Sequence, residues 1–80
     1  MAKTLMTSGD YSLLYDSTRI NRYMLYKTYP ASPSGDLKLN QMVCQSSIFS
    51  SKIKSYFTEQ QCQTIIAKIH AMKYVAKRFR

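Results

Sequence analysis

Towards the end of the chain His70, Lys73, Tyr74, Lys77 and Arg78 recur at separations of three and four residues. On a helix that spacing gathers them along one flank. Cations beside an aromatic ring suit one chemistry, the holding of an anion. An ammonium attracts phosphate as a point charge, and a guanidinium forks onto two of its oxygens. A tyrosine stacks on a base or donates its hydroxyl to a phosphate. Lys68 falls on the opposite flank and Arg80 beyond the last turn. A second group lies earlier. In an extended segment Arg22 and Tyr26 share one face and Lys27 and Tyr29 the other, so either face pairs a cation with a ring. The plain alternative is a solvated basic helix end together with tyrosines that edge a core.

No comparable grouping suits catalysis. His70 stands among cations, with no acid near it in sequence to orient an imidazole base. Cys44 and Cys62 form no Cys-x-x-Cys pair, and nothing in the pattern brings either to His70. In a reducing compartment they read as two small hydrophobes, with a disulfide as the minor alternative. Zinc would need two more ligands besides the single histidine, so no metal and no cofactor is expected. Three of the four acids sit near turns in the first half, which leaves no carboxylate pair. The chain is expected not to be an enzyme.

The charge supports the anion reading. Lys and Arg number 12 against 4 Asp and Glu, for a net +8. Residues 37–80 carry eight of the cations against Glu59 alone, a net of +7, whereas residues 1–36 carry +1. Such asymmetry points to an anionic partner. The 80 residues allow one small domain over 1–80, too short to roof a large catalytic cavity. The start has no apolar core for a signal peptide, and no stretch approaches the roughly 20 apolar residues of a membrane span. A cytoplasmic location is expected, the host cytoplasm if the source is viral.

The elements that must position these groups follow from periodicity. Residues 1–9 are expected to be a loose leader closed by the turn signal Ser8-Gly9-Asp10. Tyr11–Tyr15 reads as a strand, ended by Asp16-Ser17-Thr18. Ile20–Tyr29, rich in Tyr, Ile, Met and Thr, reads as a second strand. Its faces carry Tyr23, Leu25, Lys27 and Tyr29 on one side and Ile20, Arg22, Met24 and Tyr26 on the other. Pro30–Asp36 holds both prolines and reads as a surface loop. Leu37, Leu39 and Val43 alternate with polar neighbours, giving a third strand antiparallel to the second. Ser46–Phe57 fits helix and strand almost equally, with a short helix favoured.

Thr58-Glu59-Gln60-Gln61 is a capping box, flanked by Phe57 and Cys62 as a hydrophobic staple. From there Cys62, Ile65, Ile66, Ile69, Met72, Ala76 and Phe79 make one apolar stripe without Gly or Pro. The expected fold is α+β: a small antiparallel sheet of about three strands packed on a long C-terminal helix, with a short helix before it.

The expected function is non-enzymatic engagement of nucleic acid or a nucleoprotein complex through the basic helix flank. Lys68, Lys73, Tyr74, Lys77, Arg78, Arg80, Arg22, Tyr26 and Lys27 are the contact set. No module signature, such as an RNA-recognition aromatic motif or paired zinc ligands, is present. The alternative is a protein-binding regulator or inhibitor, of the kind a virus or mobile element would use to block a larger host complex. Charge would then steer it to an acidic groove. A homodimer is compatible with either reading, since tyrosines on both strand faces leave apolar area to bury.

Overall fold

The computed structural model describes residues 2–30 and 38–78, with backbone alone at 30, 38 and 74–78. Four strands, β1 (Lys3–Ser8), β2 (Tyr11–Tyr15), β3 (Tyr23–Pro30) and β4 (Lys38–Ser46), are followed by α1 (Ser51–Lys54) and α2 (Glu59–Arg78). The strands form one antiparallel meander in the order β1-β2-β3-β4. The α+β expectation holds, with four strands instead of about three.

The added strand is β1, which occupies the segment expected to be a loose leader. Its pattern hides it: Leu5 and Met6 are adjacent, and strict alternation would send one of them away from the core. The register shift between Thr4 and Met6 removes the conflict, because a bulged residue changes which face its neighbours present. Leu5 is buried and Met6 packs against the same core. Gly9, with φ of 57°, supplies the positive φ that a two-residue hairpin turn requires at its first position. The edge strand β4 repeats the device. Its register shifts opposite Leu25 and Tyr26, and the consecutive Val43 and Cys44 both pack on the core.

The second strand starts at Tyr23, later than expected. Ile20 is 89% exposed and belongs to the β2–β3 turn. The Asp16 carboxylate shapes that turn by accepting from the Thr18 backbone N–H at 3.0 Å and from its hydroxyl. The Asp16 N–H donates to the Arg22 carbonyl and closes the loop. Hydrogen bonds from the Thr18 hydroxyl and from its backbone N–H hold the Asp16 carboxyl below the ordinary carboxylate value. The expected loop at Pro30–Asp36 falls, after Pro30, outside the described residues.

One face of the sheet carries the core. Leu5, Leu13, Tyr23 and Leu25 meet Ile53 and Phe57 from the α1 region and Ile65 and Ile69 of α2. Alternation sends Leu14, Met24 and Tyr26 to the other face, where Met24 is buried without joining that cluster.

The helical segment folds as its caps dictate. Ser50 Oγ accepts from the Ile53 N–H to start α1. In the capping box, the Thr58 N–H donates to Gln61 Oε1 at 2.9 Å and the Gln61 N–H to Thr58 Oγ1 at 3.3 Å. Gln61 Nε2 also donates to Ser8 Oγ, fastening the start of α2 to the end of β1. The Cys62 thiol points to the carbonyls of Lys54 and Phe57. Both cysteines are free and half-buried, and burial pushes the Cys44 thiol pKa up. No helix among the described residues is long and apolar enough to cross a membrane.

Candidate functional site

The two ends of the sheet differ in what meets there. The pairing of β2 with β3 closes at Tyr15 and Tyr23, and that of β3 with β4 at Tyr23 and Ser46. The β2–β3 turn and the Ser47–Ser50 link to α1 both leave from this end. The helix α2 reaches it too. Gln61 ties α2 to Ser8, and Lys68 Nζ donates to the Leu5 carbonyl at 2.6 Å, so α2 runs antiparallel to β1. Seven helical residues and three strand residues each span about 10 Å, which makes the two ties geometrically consistent.

Between these elements lies an open cleft of about 490 Å³. Ile48 and Phe49 form its wall on the linker side, and Ile66 and Ile69 on the α2 side. Tyr15 and Tyr23 add two rings, whose centroids stand 5.1 Å apart at 56°. Tyr23 and Phe49 follow at 6.2 Å and 58°, so the rings form a connected aromatic row. Tilted pairs of this kind are favourable beyond their burial and hold the rings in place. Around them stand Arg22 from the turn, Lys54 from α1, and His70 and Lys73 from successive turns of α2. Lys54 Nζ lies 5.7 Å from the Phe49 ring centroid.

Among the described residues, no carboxylate lines the cleft. Asp16 borders the site through its backbone bond to Arg22, while its carboxylate serves the Thr18 turn. Burial raises the Tyr23 hydroxyl pKa above its ordinary value, and the neighbouring Tyr15 adds to this while Arg22 opposes it. Tyr23 is therefore a neutral hydroxyl at physiological pH. The arrangement offers cations from three separate elements around an apolar, aromatic floor.

The residues expected from sequence divide. Arg22 and Lys73 line the cleft. Lys68 does not: it serves β1, where its ammonium satisfies the Leu5 carbonyl at the bulge. Tyr26 lies on the sheet face turned away from the helix, so it and Arg22 are not on one surface as expected. The strand begins after Arg22, and alternation no longer applies to that residue. Lys27 sits at the far end of the sheet, its Nζ 5.4 Å from the Tyr11 centroid and 4.9 Å from that of Tyr29. Lys27 and Tyr29 thus do share a face. The backbone of Tyr74, Lys77 and Arg78 continues α2, but their side chains, and Arg80 altogether, lie outside the described residues.

Tyr15, Tyr23, Phe49 and Lys54 were not expected at the site. The usable signal was Ile48-Phe49 preceding Lys52 and Lys54, an apolar pair beside cations in the segment where periodicity was ambiguous.

No family model, curated protein or solved structure matches this chain.

Proposed function

We propose that the chain is a non-enzymatic binding module that engages the phosphates of nucleic acid, free or within a nucleoprotein complex, through this cleft and its basic rim. The observation that carries the reading is the grouping of Arg22, Lys54, His70 and Lys73 around one concavity with no carboxylate among its described lining residues. Like charges gathered from three elements repel one another, and an anion placed between them relieves that repulsion. The concentration of charge in residues 37–80 adds long-range attraction for a polyanion.

The test is fluorescence anisotropy with labelled DNA and RNA across a salt series. Affinity should fall steeply as salt rises, because phosphate contacts release counterions. Binding that does not change between low and moderate salt rules out phosphate as the driving contact.

A second reading, binding to an acidic groove of a protein, is favoured by Ile20 and Ile48. They are 89% and 67% exposed and lie in the two connections leaving the cleft end. Exposed apolar side chains next to cations suit a mixed protein contact. A pull-down from nuclease-treated lysate separates the two: one defined protein retained supports this reading, and loss of every partner supports the first.

A further inference from the structure

We infer that the cleft accepts an unpaired base, so that the polymer bound is single-stranded nucleic acid. This deepens the phosphate-binding reading of the same site and rests on it. Phosphate alone would need only the cations. Half of the lining is of another kind, with Tyr15 and Phe49 half-buried and Ile48 67% exposed. These groups offer apolar and π surface, which a phosphate cannot use and the face of a base can.

A duplex does not present that partner. Its bases are stacked and offer edges in the grooves, while single strands offer splayed bases to aromatic side chains. The volume also fits, since about 490 Å³ is within the range of pockets that enclose small organic groups. Arg22 on the β2–β3 turn and Lys73 on α2 belong to different elements around the cleft. On this reading both contact the phosphates that flank an inserted base.

The test compares three probes at one salt concentration: a short oligothymidylate, an abasic strand of equal length, and the corresponding duplex. The oligothymidylate should bind at least about tenfold more tightly than either of the others, as expected when a base gains an aromatic stack. The Phe49→Leu variant keeps apolar volume and removes the ring. It should bring the oligothymidylate to within about threefold of the abasic strand, with far-ultraviolet circular dichroism and the urea midpoint of the same preparation as evidence of folding. If that variant does not fold, the comparison of probes on the unmodified protein decides alone. Equal affinity for abasic and thymidine strands overturns the base reading while leaving phosphate binding intact, and so does tightest binding to the duplex. Absence of salt-dependent binding to all three probes overturns the phosphate reading, and this inference with it.

Discussion

The two ends of the sheet contain the same ingredients, tyrosines and lysine or arginine, and use them differently. At the far end, residues 28–30 of β3 pair with 38–40 of β4 beyond the last β2 pairing, that of Tyr11 with Lys27, and the Thr28 N–H also donates to the Asp10 carbonyl. There the Lys27 ammonium lies over two rings of its own chain, and Tyr29 and Leu39 are exposed. At the cleft end the rings pack on one another, and the cations come from three separate elements around them. Lys27 is thereby engaged within the chain, as Lys54 is over Phe49, whereas Arg22 and Lys73 line a concavity open to a ligand, and the proposed function rests on that difference. Composition is therefore a poor guide to function here, and the elements that deliver each side chain decide it.

The two ends also differ in what supports them, and stability should expose this first. Ile65 is fully buried in the core between α2 and the sheet, and Ile65→Ala should cost about 2–5 kcal/mol. That is a large share of a small domain's stability, read as a lower midpoint in urea. Leu39, 61% exposed on the far ribbon, should tolerate alanine within about 0.5 kcal/mol. Comparable losses at the two sites would mean that the ribbon is part of the core.

Binding should be asymmetric next. Arg22→Ala with Lys73→Ala is expected to weaken nucleic-acid affinity about tenfold at moderate salt, alike for all sequences. Lys27→Ala should change affinity less than about twofold. It should instead lower thermal stability by roughly 0.5–1 kcal/mol, the typical value of an exposed cation–π contact. Anisotropy and calorimetry on the same preparations give both numbers.

Lys68 sharpens the contrast within α2 itself. Lys68→Met retains the apolar stem and removes the bond to the Leu5 carbonyl, so stability should drop by about 1 kcal/mol with binding unchanged. A loss of affinity without a loss of stability would return Lys68 to the contact surface.

The smallest effect concerns the turn that carries Arg22. Hydrogen bonds from Thr18 depress the folded-state pKa of Asp16. A carboxyl with a depressed folded pKa contributes stability above its unfolded value, and that contribution is lost as pH falls through the folded value. Melting temperature should therefore decline below about pH 4 more in the unmodified protein than in Asp16→Asn. Parallel acid profiles would show that the turn needs no ionised carboxylate.

Much of the architecture was legible in the residues. The capping box at Thr58 and Gln61, the Cys62–Met72 stripe, the Tyr11–Tyr15 strand and the Asp16 turn all carry local chemistry with one structural outcome. Two features were not legible for a shared reason. In β1 and β4 the adjacent pairs Leu5-Met6 and Val43-Cys44 break the two-residue period, and only pairing with a neighbour shows that a bulge restores it. The role of Lys68 was hidden likewise, because its partner is a backbone carbonyl 63 positions away. The helix spacing put His70 and Lys73 on one flank, and both line the cleft, but Phe49, Lys54 and the Tyr15–Tyr23 pair converge only through the meander. A site built from four segments has no spacing motif to find.

The most direct measurement is the salt dependence of single-strand binding for three proteins: the unmodified chain, Arg22→Ala with Lys73→Ala, and Lys27→Ala. Each phosphate contact on a single strand contributes about 0.7 to the slope of log affinity against log salt. The cleft account predicts a slope shallower by roughly 1.4 for the double variant and an unchanged slope for Lys27→Ala. An unchanged slope for the double variant, or an equal reduction for Lys27→Ala, would contradict it.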